Sequence, residues 1–192
     1  MSKFLRMALL VALGVLSIAS AAFAVVPDPT FSSCDACLVP APAGDYAFTV
    51  NVKDQFNNAI NNSNVTIDFG LCGGSVVFCS NQEAGFTTSG ATISGHTAAD
   101  GHVTFRIHGG GACVANVRIY ADGVQICSVG RAHSPDLNAD KFVDVSDVAL
   151  LAAAQVAQDL SADLNCDGFV DVSDVALFAA SQLAASSDPH CP

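Results

Sequence analysis

The stretch DLNADKFVDVSDVAL at residues 136–150 returns as DLNCDGFVDVSDVAL at residues 163–177, an offset of 27 with 13 of 15 positions identical. An unbroken shared run of this length is a duplication, not coincidence. Each copy places oxygen donors at loop positions 1, 3, 5, 9 and 12: Asp136, Asn138, Asp140, Asp144 and Asp147, then Asp163, Asn165, Asp167, Asp171 and Asp174. At that spacing a short chain wraps around a calcium ion, which takes roughly six to eight hard oxygens from one flexible loop. Position 7, Phe142 or Phe169, would lend its backbone carbonyl while the ring turns into the core. Position 9 often acts through a water, which makes Asp144 and Asp171 the weaker ligand candidates. Pro135 sits directly before the first loop, so no helix runs into it. The unit is a loop followed by a helix, from Val145 to about Val156 and from Val172 to about Leu183. Lys141 stands where Gly168 stands in the second copy, at a position whose backbone is usually left-handed. A side chain there costs roughly 1 kcal/mol, which predicts a weaker first site than second.

Upstream of the repeat the texture changes from Ala-rich to strand-like, with the boundary near His133-Ser134-Pro135. Between Asp45 and Ala132 the apolar residues alternate. Tyr46, Phe48, Val50 and Val52 form one series, Val65, Ile67 and Phe69 a second, and Val103, Phe105 and Ile107 a third. Period two marks half-buried antiparallel strands. Asp100-Gly101 and Asp122-Gly123 are hairpin dipeptides, Gly109-Gly110-Gly111 reads as a flexible turn, and Val114 to Tyr120 with Val124 to Val129 is the clearest hairpin. About seven short strands in roughly 90 residues describe a β-sandwich. Residues 25–44, with Pro27, Pro29, Pro40 and Pro42, read as an extended linker.

Charge and cysteine usage set the compartment and exclude partners. The chain has 192 residues, 7 Lys+Arg and 18 Asp+Glu. Such an acidic chain lacks the clustered cations that bind phosphate, so nucleic acid is excluded. Residues 25–132 carry 8 acids and 4 bases, whereas residues 133–192 carry 10 and 1; eight of those ten acids are loop aspartates, so the acidity is mostly a ligand count. Residues 1–24 read as a signal peptide: Lys3 and Arg6, an uncharged apolar run from Met7 to Ala22, and the small-x-small site Ala22-Phe23-Ala24. A retained anchor is the alternative, but the apolar run is short for a membrane span. The mature protein is therefore expected to be secreted or on the cell surface, with no membrane contact after cleavage. Its eight cysteines are even in number, and in an oxidising compartment that favours disulfides over the redox or zinc knuckle that Cys34-Asp-Ala-Cys37 could otherwise form. Nearness alone would pair Cys72 with Cys79 and Cys166 with Cys191.

Two resemblances follow from these residues. The run Thr97-Ala98-Ala99-Asp100-Gly101-His102-Val103-Thr104-Phe105, after Val50-Asn51-Val52-Lys53-Asp54, resembles bacterial immunoglobulin-like domains of exported surface proteins. The tandem loop–helix repeat, with Asp in place of Glu at position 12 and no entering helix, resembles the type I dockerin domain over about 60 residues. That resemblance implies a small EF-hand-type domain holding two calcium ions. It also implies docking onto a cohesin-like domain of a scaffold or surface protein, as in cellulosomes. The residues facing the cohesin would be Val145 and Ser146, then Val172 and Ser173, and the repeated pair would permit two binding orientations. Ala153, Ala154, Ala180 and Ser181 stand where dockerins often carry basic residues, a departure from cellulosomal pairing.

The expectation is a mainly β immunoglobulin-like sandwich at 45–132 followed by a dockerin-like calcium domain at 133–192, a non-enzymatic attachment protein. Two alternatives stand beside it. Calcium could serve only to stabilise a structural or adhesive surface protein, because two short helices bury too little surface to fold alone. The chain could also be an accessory module of extracellular polysaccharide degradation, although the absence of Trp and the two tyrosines offer little aromatic surface for sugar. Catalytic signatures are missing: there is no nucleophile elbow and no His-Glu-x-x-His. His96, His102 and His108 recur every six residues, but Asp100-Gly101 interrupts the strand that would bring them together.

Overall fold

The computed structural model describes residues 25–187 and Cys191; the expected signal peptide lies outside these residues. In chain order the elements are β1 (Ser33–Cys34), β2 (Phe48–Asn51), β3 (Asn64–Asp68), β4 (Val77–Phe78), β5 (Thr87–Ser89), β6 (Thr92–His96), β7 (His102–Phe105), β8 (Gly109–Gly110), β9 (Val117–Ala121), β10 (Val124–Val129), α1 (Val145–Ala157) and α2 (Val172–Ser187). The strands form antiparallel sheets in the orders β1-β2-β7, β10-β9-β3-β6-β5 and β4-β8. The alternation read from sequence is the reason. Phe48 and Val50, Val65 and Ile67, Val103 and Phe105, and Val117 and Ile119 all point into one shared apolar core, while the residues between them face outward. Alternate residues of a strand lie on opposite faces, so each strand sorts its own side chains. β10 keeps Ile126 and Val129 inside by means of a register shift between Gln125 and Cys127. His96 ends β6 and His102 begins β7, in different sheets, so the periodic histidines diverge.

Three features differ from the sequence expectation. The proline-containing segment at 25–44 is not a free spacer: Pro27 bridges Asp54, β1 pairs with β2, and Leu38, Val39 and Ala41 are buried. Prolines fix an extended backbone but leave the residues between them free to pair and to pack. Gly109 and Gly110 form β8, a buried strand opposite β4, instead of a flexible turn. The third difference is the cysteine pairing: Cys34–Cys127, Cys37–Cys166, Cys72–Cys113 and Cys79–Cys191. The antiparallel register Val77↔Gly110 and Phe78↔Gly109 explains one of these. It sets residues preceding β4 opposite residues following β8, which puts Cys72 beside Cys113 and carries Cys79 away. Four disulfides match an oxidising compartment. Among the described residues no helix is long and apolar enough to cross a membrane.

The helices pack over a second, smaller core of Val143, Leu151, Ala154, Ala162, Leu164, Val170 and Phe178. Residues from the N-terminal part close it: Val39 is a buried member, and Tyr46 packs on its edge. The Tyr46 hydroxyl donates to the Leu177 carbonyl at 3.1 Å, and Ser181 on α2 is bonded to Asp45. Two disulfides, Cys37–Cys166 and Cys79–Cys191, also join the β-rich part to the helical part. The helical repeat is therefore fastened to the sheets by apolar contact, hydrogen bonds and covalent bonds.

Candidate metal centre

Asp is the residue that folds each loop, because its two carboxylate oxygens can accept several backbone N–H groups from a tight turn. In the first loop Asp136 accepts from the backbone N–H of Asp140 at 3.2 Å and of Lys141 at 2.9 Å. Asp140 accepts from Phe142 N–H at 3.0 Å. Asp147 is fully buried; it reaches back to accept from Leu137 at 2.8 Å and Asn138 at 3.2 Å, and its other oxygen accepts from Asp144 N–H at 3.0 Å. The second loop repeats the lattice: Asp163 accepts from Asp167 and Gly168, Asp167 from Phe169, and Asp174 from Leu164, Asn165 and Asp171.

Asp144 and Asp171 take a different part. Each accepts from the backbone N–H and the hydroxyl of the serine two residues on, Ser146 or Ser173, and so caps the helix that follows. For α1 this is a capping box closed by Asp147. The caps leave positions 1, 3, 5 and 12 as the side chains turned to the loop interior. Asn138 and Asn165 belong to that group, each donating through its amide to Asp140 or Asp167 at 2.8 Å.

The oxygens of Asp136, Asp140 and Asp147 lie within 4.8 Å of one another, a spacing that can hold a metal ion. Among the described residues the equivalent trio Asp163, Asp167 and Asp174 is not drawn as close. The Asp136 carboxyl is pushed up to about 6, first by burial and then by the carboxylates of Asp147 and Asp140, against the backbone hydrogen bonds from Lys141 and Asp140. Burial also raises Asp147, opposed by its three backbone hydrogen bonds. The hydrogen bonds from Ser146 and Ser173 lower the exposed caps Asp144 and Asp171. A buried carboxylate facing like charges is the situation that a divalent cation relieves, so the donor set fits a hard, oxygen-seeking ion.

Phe142 and Phe169, the position-7 candidates, correct one expectation. The two residues are 57% and 63% exposed and lie outside the helical core. The interior place belongs to the next residue, Val143 or Val170, both buried in the helical core. Gln158, just after α1, ties the backbone at Val170 to the end of the first helix, donating to the Val170 carbonyl at 3.0 Å. Lys141 does adopt the left-handed backbone foreseen for position 6, with φ 77°, and Gly168 has φ 91°.

The first loop rests on β8, a contact the sequence reading missed. The Asp136 carbonyl accepts from Gly111 N–H at 2.8 Å, and a Cβ on Gly110 would run into the Asp136 carboxylate. Consecutive glycines in a strand signal such a close approach, and that was the available clue. The partner-facing candidates stay open: Val145 and Val172 are 78% and 76% exposed, Ser146 is exposed and Ser173 half-buried. Beside them, Val148, Leu151, Ala152, Gln155 and Val175 line a groove of about 210 Å³ between the helices.

Comparison of the chain with protein-family models, with curated proteins and with solved structures returned no match.

Proposed function

We propose that this is an exported, non-catalytic protein whose C-terminal dockerin-like domain binds two calcium ions and mediates calcium-dependent attachment to a cohesin-like domain of a scaffold or surface protein. The observation that carries the reading is the repeated lattice: two loops, 27 residues apart, in which aspartates at positions 1, 5 and 12 gather the same backbone N–H groups. Such loops hold their carboxylates ready for calcium in the manner of EF-hand-type sites. Asp136, Asn138, Asp140 and Asp147 would hold the first ion and Asp163, Asn165, Asp167 and Asp174 the second, with the carbonyls of Phe142 and Phe169, and Asp144 and Asp171 through water. The exposed pairs Val145/Ser146 and Val172/Ser173 would meet the partner.

The β-rich part would be an immunoglobulin-like sandwich acting as cargo or adhesion unit. Its strand orders support this. In that reading β1, β2 and β7 would take the places of strands A, B and E, and β10, β9 and β3 those of G, F and C, with β6 and β5 extending the second sheet.

One observation favours a second reading, in which calcium only stabilises the fold. Val39 and Tyr46 close the helical core, and two disulfides cross to it, so the repeat already has a partner within its own chain.

The test uses the mature, oxidised chain. Circular dichroism with and without EGTA reads calcium-dependent helix formation, and a calcium-dependent pull-down from exported proteins reads docking. Capture of a protein with a cohesin domain only in calcium supports attachment. Helix loss in EGTA without such capture favours the internal role, and an unchanged spectrum refutes both.

A further inference from the structure

We propose that the Cys37–Cys166 disulfide is the positioning element of the second loop, so that calcium binding there and the oxidation state of this bridge are linked. The inference rests on the calcium reading above. Cys166 occupies loop position 4, between Asn165 and Asp167, where the first loop has Ala139. Both residues take the left-handed backbone, φ 58° and 61°, so the turn itself does not require the bridge.

What differs is the anchor. The first loop leans on β8 through Gly111 N–H and the bare face of Gly110. The second is bridged to Cys37, whose neighbours Leu38 and Val39 are buried, and the Leu38 carbonyl accepts from His133 N–H at 3.0 Å. Cys37 is thus part of a rigid rib. The bridge spans 129 residues of sequence and suspends the ligand-bearing loop from that rib.

Opening the bridge frees Asn165 and Asp167 to sample loop shapes that do not hold calcium. An ion that binds the ordered loop better than the loosened one shifts the balance toward the ordered loop. By reciprocity the closed bridge raises calcium affinity by the factor with which calcium disfavours opening. Opening is ordinary thiol–disulfide exchange. A thiolate of a small dithiol attacks one sulfur, the S–S bond breaks, and the other sulfur leaves as a thiolate and takes a proton. The second thiol of the reagent then displaces the protein cysteine and closes to a cyclic disulfide. Cys37 and Cys166 are both half-buried, within reach of a small reagent. Cys34 and Cys127 are also half-buried but lie on β1 and β10, in different sheets and outside the repeated loops, which makes their bridge an internal reference.

The experiment is equilibration of the mature chain in graded dithiol–disulfide redox buffers, with and without calcium, followed by acid quench, alkylation and peptide mass spectrometry. Calcium is expected to shift the dithiol-to-disulfide ratio at which Cys37–Cys166 is half open about ten-fold more than that of Cys34–Cys127, within the range usual for coupled sites. Calorimetric titration of the C37S/C166S variant with calcium is expected to show one site weakened by a similar factor. That site should be the one that a further Asp163→Asn removes. Equal shifts for both bridges, or no shift, in a chain that still takes up two ions overturns the linkage alone. A wild-type titration without heat overturns the calcium reading and the linkage with it. If the double variant does not fold, the redox equilibria of the wild-type chain decide.

Discussion

The two loops have nearly the same sequence and the same internal hydrogen bonds, yet they are held by different means. The first is seated on the glycines of β8 and carries Lys141 at its left-handed position; the second is bridged to Cys37 and carries Gly168 there. Local sequence thus dictates the lattice of Asp carboxylates and backbone N–H groups, while the rest of the chain decides how firmly each lattice is supported. The first loop has its acids drawn together but places a side chain, Lys141, at the left-handed sixth position. The second has glycine there and a covalent tether, and both loops keep a left-handed non-glycine residue, Ala139 or Cys166, at position 4.

The largest expected effect comes from the shared lattice. Asp174→Ala strips three backbone N–H groups of their buried carboxylate. It should cost about 4 kcal/mol in denaturant unfolding of the calcium-loaded chain, and it should abolish the second site. Gly110→Ala acts only on the first loop. Its methyl group displaces the Asp136 carboxylate and should cost about 2 kcal/mol while weakening the first site and sparing the second, as titration of each site will show. Lys141→Gly works the other way: relief of the left-handed side chain should add about 1 kcal/mol and tighten the first site several-fold, narrowing the difference between the loops. The smallest effect on stability belongs to Val145→Ala and Val172→Ala, both largely exposed, with thermal unfolding shifted by less than about 0.5 kcal/mol. Under the attachment reading the pair of substitutions together should nonetheless abolish partner capture, whereas either one alone should leave an intact copy.

The loop turns were legible because the spacing of the aspartates, the helix starts and the left-handed position are all local properties. Pro135, the Asp–x–Asn–x–Asp pattern and the Val-Ser-Asp helix start act within a few residues of one another. The alternating strands were legible for the same reason, as Phe48, Val50, Val65 and Ile67 show. Position 7 misled because apolar residues stand side by side there, and spacing alone does not say whether Phe142 or Val143 turns inward. The helical core takes Val143, Val170 and, from α2, Phe178, and leaves Phe142 and Phe169 outside. Cysteine pairing was illegible because it follows long-range register. Cys72 finds Cys113 only once β4 has paired with β8. The seat of the first loop required knowing that Gly110 approaches Asp136, a contact between residues far apart in sequence. Polar sheet positions such as Thr87 to His96 hid two strands, β5 and β6, because Ile93 is the sole large apolar residue in that stretch.

Isothermal titration of the mature, oxidised, EGTA-stripped chain with calcium asks whether the duplicated aspartate loops are calcium sites. Two ions should bind per chain, lost one at a time in Asp136→Asn and Asp163→Asn, with helical circular dichroism rising as the sites fill. Absence of binding heat, together with a helical signal indifferent to EGTA, would mean that the loops do not hold calcium.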